Sequence, residues 1–121
     1  MAVRRYAILH HKLPGGEHWD LLLEQDDTLA SWQLSAEPHG PDALPLAAVR
    51  IFDHRKRYLD YEGPISGERG SVTQFDGGEL RLLETGGQRW LFELAGRVFR
   101  GRFCLTRAPD TGADLWTFAV A

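Results

Sequence analysis

A single cysteine, Cys104, stands in 121 residues, which leaves no internal disulfide and no cysteine-rich zinc site. That usage fits a reducing compartment, and Cys104 itself is expected to be a packed or half-buried strand residue. Also missing is any apolar run near the length of a membrane span. Residues 1–6 make a short basic start without the apolar segment of a secretory signal, so the expectation is a cytoplasmic protein with no membrane partner. There is no surplus of positive charge either. With 14 basic against 17 acidic residues the net charge is −3, which excludes the uniformly positive surface of an architectural nucleic-acid binder. Any polyanion must be held locally. No internal repeat, low-complexity tract or linker is visible, and the length suits one core over residues 1–121 and not two.

What the chain does have is short strands separated by turn residues. Residues 4–11, 17–24 and 28–34 read as a meander, joined by Pro14-Gly15-Gly16 and by Gln25-Asp26-Asp27. Residues 35–45 hold four prolines and glycines, Pro38, Gly40, Pro41 and Pro45, and are too broken for regular structure. Residues 46–52 suit a strand, 55–61 a short helical turn, and 62–70 a glycine-shaped loop. Strands resume at 71–75, 79–83, 89–94, 98–107 and 113–121, with turns at Asp76-Gly77-Gly78, Thr85-Gly86-Gly87 and Ala95-Gly96-Arg97. About eight antiparallel strands with almost no helix must protect their sheet edges, and closure into a small β-barrel does so most completely, a two-sheet sandwich being the alternative. The fold class is all-β. Because such a barrel fills with aromatic and aliphatic side chains, a polar site belongs on an outer concave face or at a rim.

Three of the five histidines fall within nine residues, around the first turn. In the strand after it, Trp19, Leu21 and Leu23 alternate with His18, Asp20 and Leu22. The first set is core. The second sets an imidazole beside a carboxylate on one pleated face, as two ligands of a divalent ion require, and the reversal at Pro14-Gly15-Gly16 returns His11 or His10 to their neighbourhood. An exposed His-x-Asp pair is otherwise ordinary polar surface. A second constellation spans residues 52–63. If a helical turn forms there, His54 and Tyr58 face one anion with a ring nitrogen and a phenol, beside Arg55, Lys56 and Arg57. The plainer reading is a packed aromatic next to solvated charge.

Tyr6-Ala7-Ile8 followed by histidine, then His18-Trp19-Asp20-Leu21, Leu29-Ala30-Ser31-Trp32, Asp53-His54, Tyr58-Leu59-Asp60-Tyr61-Glu62-Gly63 and Gly101-Arg102-Phe103 form a series along nearly the whole chain. It resembles the 3′-phosphoesterase domain of bacterial DNA ligase D. The resemblance implies a small β-barrel enzyme of DNA repair that depends on manganese or another divalent cation. Such enzymes remove a terminal ribonucleoside and then the 3′-phosphate from nucleic-acid 3′ ends. It also implies partners among repair ligases or polymerases. Carried over by motif, the metal ligands fall on His11, His18 and Asp20, with His10 as the alternative first ligand, and the phosphate-contacting, catalytic pair on His54 and Tyr58. The chain departs from the family at Leu22, where the family has an arginine that grips phosphate. Arg50 is the expected replacement, since on an extended segment it shares a face with His54, and Arg57 and Arg69 are further candidates. Leu22→Arg is expected to project beside Asp20 and raise activity. The rival expectations are a non-catalytic module that holds metal and nucleic-acid ends, suggested by Leu22, and a small-molecule phosphoesterase, suggested by the acidic net charge.

Overall fold

The computed structural model describes residues 3–109 and 114–121; the first two residues of the basic start, and the expected beginning of the last strand at Ala113, lie outside them. The described chain is all-β apart from two single 3-10 turns, Pro41–Ala43 and Lys56–Leu59. No helix among these residues is long and apolar enough to cross a membrane.

The strands are β1 (Arg4–Leu13), β2 (Gly16–Glu24), β3 (Thr28–Leu34), β4 (Leu46–Arg55), β5 (Gly63–Pro64), β6 (Ser71–Glu84), β7 (Arg89–Gly96), β8 (Arg100–Arg107) and β9 (Leu115–Val120). They pair antiparallel in the order β1-β2-β3-β4-β9-β8-β7-β6, and β6 pairs back onto β1, which closes an eight-stranded barrel. The short β5 adds to β6 as a ninth strand. Closure removes the long unpaired edges that an open sheet of this length would expose.

Two apolar clusters lie on the two faces of this sheet. Inside the barrel, Trp32, Trp90, Trp116, Phe92, Phe99, Phe103 and Phe118 are buried with Tyr6, Ile8, Leu21, Leu23, Leu34 and Leu94. Outside it, Ala7, Leu9, Leu22, Leu29 and Val72 are covered by Leu59, with Tyr58, Tyr61 and Ile65 packed at the margin. The segment after β4 therefore lies on the outer wall of β1, β2 and β3. Leu22 is fully buried beneath it.

Asp76-Gly77-Gly78 is not a turn. β6 runs through it, pairing with β1 and β7, and the register with β1 slips between Ile8 and Leu9 so that Phe75 is extra. These glycines serve close packing between strands: a Cβ on Gly78 would sit 2.3 Å from the Ala95 carbonyl oxygen. Asp76 is buried and accepts hydrogen bonds from Tyr6 Oη at 2.5 Å and from the backbone N–H groups of Arg97, Val98 and Phe99 at 3.0 Å each. Its carboxylate thus closes the β7–β8 loop. The phenol of Tyr6 is pushed up out of its ordinary range, chiefly by burial and then by its bond to Asp76. Cys104 is half-buried on β8.

Candidate functional site

The β1–β2 hairpin has a two-residue turn, Pro14-Gly15, between the paired Leu13 and Gly16. That register sets His11 opposite His18, with ring centroids 4.6 Å apart and planes at 75°. Two residues along β2, Asp20 Oδ1 lies 2.9 Å from His18 Nδ1. His10 points to the other face, where its ring stacks on Trp19 at 4.6 Å and its Nε2 meets Glu17 at 2.6 Å. Between the two histidines left open by the sequence, His11 is the one beside His18 and Asp20.

The side chains of His11, His18 and Asp20 each offer a ligand atom within 4.8 Å of the others. Two ligands at 2.0–2.2 Å from one ion are separated by at most about 4.4 Å, so small ring movements would bring these atoms around a single cation. The donor set, two imidazoles and one carboxylate, suits manganese, iron or zinc. His11 is also oriented as such ligands are. Its Nε2 donates to the Arg69 carbonyl at 2.7 Å, which leaves Nδ1 with the lone pair. That carbonyl is delivered by a close approach of the loop after β5: Gly70 has φ 81°, and a Cβ there would sit 1.8 Å from the Lys12 carbonyl oxygen. Gly70 therefore presses the loop against β1. Asp20 is buried, and burial holds its carboxyl above the usual carboxylate range, while His18, His54 and His11 pull in the opposite direction.

His54 reaches this place from β4. Its Nδ1 is 2.7 Å from Ser31 Oγ, and the Ser31 hydroxyl donates to the Leu29 carbonyl at 2.9 Å, so the hydroxyl oxygen accepts from His54. The neutral ring then has its proton on Nδ1 and a lone pair on Nε2. Burial lowers the imidazole's pKa below its ordinary value, with Asp20 opposing. Tyr58, on the 3-10 turn, meets the His54 ring edge-on at 5.7 Å. His11, Asp20, His54 and Tyr58 line one cleft of about 530 Å³, together with Arg57 and Arg69. Arg55 and Phe52 also border it.

Arg50 does not share the face of His54. Its guanidinium lies 4.7 Å from the Trp32 ring centroid and 5.4 Å from that of Trp90, over the aromatic interior. The cause is a bulge: Ser31 pairs with Ile51 but Leu29 with His54, so β4 carries one extra residue and its alternation inverts. Leu22 lies on the face of Asp20, as alternation predicts, but it is buried there in the outer apolar cluster, which leaves no open space for the expected Leu22→Arg side chain. Ser31, the Arg69 carbonyl and Phe52 escape a sequence reading. A buried serine between Leu29 and Ala30 on one side and Trp32 on the other is the only one of the three with any local signal, and its partner is set by a register the sequence does not display.

Comparison with known proteins places the chain in a family. Residues 9–107 match the family model described as the DNA ligase D 3′-phosphoesterase domain. The chain is 32% identical over 127 aligned residues to the multifunctional non-homologous end joining protein LigD of Pseudomonas aeruginosa, an alignment covering 96% of this chain and 15% of that protein. The chain therefore spans a small part of the length of that relative. It belongs to the DNA ligase D 3′-phosphoesterase domain family.

Proposed function

We propose that this protein is a divalent-cation-dependent phosphoesterase acting on nucleic-acid 3′ ends, removing a terminal ribonucleoside or a 3′-phosphate so that an end can be joined in DNA repair. The observation that carries the reading is the single cleft shared by His11, Asp20, His54 and Tyr58, with arginines at its border. Metal ligands alone would suit many chemistries. Metal ligands facing a histidine, a phenol and guanidinium groups suit a phosphoryl centre, whose several oxygens need donors from more than one direction.

His11, His18 and Asp20 would hold the cation, manganese in this reading. When bound, it would supply Lewis-acid polarisation of a phosphoryl oxygen and lower the pKa of a water. His54 Nε2, neutral and unprotonated at rest, accepts the proton of the attacking water as its oxygen bonds to phosphorus, and that proton passes to the departing ester oxygen. Ser31 keeps the ring from turning. Tyr58 donates its phenolic hydrogen to a second phosphoryl oxygen. Arg57, whose guanidinium lies 4.6 Å from the Tyr61 ring centroid, and Arg69, held by the Ser66 carbonyl at 2.7 Å, supply positive charge that Leu22 cannot. With an overall charge of −3, this local concentration is what draws a polyanion to the cleft.

A second reading, a module that holds metal and 3′ ends without turnover, is favoured by Leu22, because an apolar side chain stands where the family carries its arginine. The experiment compares a 3′-phosphorylated duplex, a duplex ending in a ribonucleotide and a chromogenic phosphodiester, each with Mn²⁺ and with chelator. Cation-dependent turnover of the duplexes above that of the chromogenic ester supports the enzyme reading. Binding without turnover leaves the module, and preference for the chromogenic ester points to a small-molecule enzyme.

A further inference from the structure

Of six phenylalanines and four tryptophans, all within the described residues, Phe52 alone is exposed, at 78%. The fold does not use it: it belongs to neither apolar cluster. Its position follows from the β4 bulge. Where one extra residue breaks the alternation between Ile51 and His54, Phe52 and Asp53 both face solvent, and the Phe52 ring lies nearly parallel to the His54 ring, at 12° and 5.3 Å. Phe52 also borders the cleft that holds Asp20 and Tyr58.

We propose that Phe52 is a stacking platform for the base of the terminal nucleotide whose 3′ end enters the cleft, a proposal that rests on the phosphoesterase reading above. One side of the ring is engaged by His54, and the rest of its surface is open to a planar partner. A nucleobase there extends the pair into a stack of three rings, and its own phosphate, one sugar away, falls toward His54 and Tyr58. Flat aromatic faces take any base, because every base has a π-face to offer. Arg55 and Arg57, exposed beside it, meet the negative backbone that accompanies the base. An aliphatic phosphate ester has nothing to place on the ring. Phe52 would thus separate nucleotide ends from other phosphoesters without touching the reacting atoms, which makes it a positioning residue.

The test pairs two 3′-phosphorylated oligonucleotides, one ending in an ordinary nucleotide and one in an abasic residue, against wild type, Phe52→Ala, Phe52→Leu and Phe52→Trp. Affinity is measured in chelator by anisotropy, and kcat and KM with Mn²⁺. Stacking on one aromatic side chain should give wild type about a tenfold preference for the base-bearing end, carried in Kd and KM and not in kcat. Phe52→Ala and Phe52→Leu should erase that preference, and Phe52→Trp should keep or strengthen it. Phe52→Leu retains apolar bulk, so it decides the matter if Phe52→Ala does not fold. Equal losses on both oligonucleotides would mean that Phe52 only packs against His54, and would overturn the platform while leaving the phosphoesterase reading intact. The same holds if active wild type shows no preference. Failure of wild type to bind or process either oligonucleotide would remove the reading and the platform together.

Discussion

His11 and His18 are direct partners across the β1–β2 ladder, and the carbonyl of Arg69 fixes which nitrogen of His11 is free. Two imidazoles brought together by a hairpin register, with Asp20 two residues further along β2, make a candidate ligand set that needs no long-range folding event beyond the hairpin itself.

From that set comes the expectation for metal binding. Calorimetry with Mn²⁺ should find one site in wild type, and His18→Ala or Asp20→Ala should weaken it by tenfold to a hundredfold or more. His10→Ala, on the opposite face against Trp19, should bind like wild type. If His10→Ala and Asp20→Ala weaken binding equally, the ligand set is wrong.

Leu22→Arg should harm the protein. Leu22 is fully buried with Leu9, Leu29 and Leu59, so an arginine there would bring an unpaired charge into an apolar cluster, costing about 3 kcal/mol or more. Urea denaturation checks it. A variant as stable as wild type and more active would mean that the segment over β2 opens to release the new side chain toward Asp20.

Asp76 should matter more for stability than its place among glycines suggests. Its carboxylate accepts from three backbone N–H groups and from Tyr6, so Asp76→Ala leaves all four donors without it and should cost on the order of 3–5 kcal/mol. Tyr6→Phe, which removes one of the four, should cost about 1–2 kcal/mol. Equal midpoints for Asp76→Ala and wild type in urea would contradict this role.

The turn that carries Tyr58 is tied to β1 by Arg5 and Asp60, whose Nη2 and Oδ1 lie 2.6 Å apart. The hydrogen bond to Arg5 holds the Asp60 carboxyl below its ordinary value of 3.8. A depressed acid pKa means that the unfolded state takes up the proton first as pH falls. The contribution is therefore complete above about pH 5 and fades as pH drops through the folded value. The pair is exposed, so salt should weaken it. Thermal melts of wild type and Asp60→Asn should differ slightly at pH 6 and low salt, and converge in acid. A gap that widens in acid would show that the pair has the opposite sign.

How much of this was legible depended on how local each feature is. The meander lies within residues 4–34 and the triad of His11, His18 and Asp20 within residues 11–20, and both follow from period-2 alternation and short turns. The bulge in β4 has no such signature, so continuous alternation put Arg50 beside His54 when it lies over Trp32. Leu22 misled for another reason: alternation gives the face of a strand, not what covers it, and the cover is Leu59 with Ile65, far along the chain. At Asp76-Gly77-Gly78, glycines needed for close approach to Ala95 are indistinguishable from turn glycines until the partner strand is known.

His54 should be the most sensitive position outside the ligand set. Losing the proton acceptor should lower kcat by about a hundredfold or more in His54→Ala, while Ser31→Ala, which frees the ring to turn, should give an intermediate loss with a smaller change in KM. Equal kcat in wild type and His54→Ala would remove His54 from the chemistry.

The most direct measurement is the rate at which a 5′-labelled oligonucleotide loses its 3′-phosphate or terminal ribonucleoside under single-turnover conditions. Wild type, Asp20→Ala and Tyr58→Phe are compared in Mn²⁺ and in chelator. Wild type should leave a 3′-hydroxyl end only with the cation, Asp20→Ala should fall to the chelator rate, and Tyr58→Phe should retain partial activity. Conversion by wild type in chelator, or conversion unchanged in Asp20→Ala, would contradict a 3′-end phosphoesterase built on this hairpin.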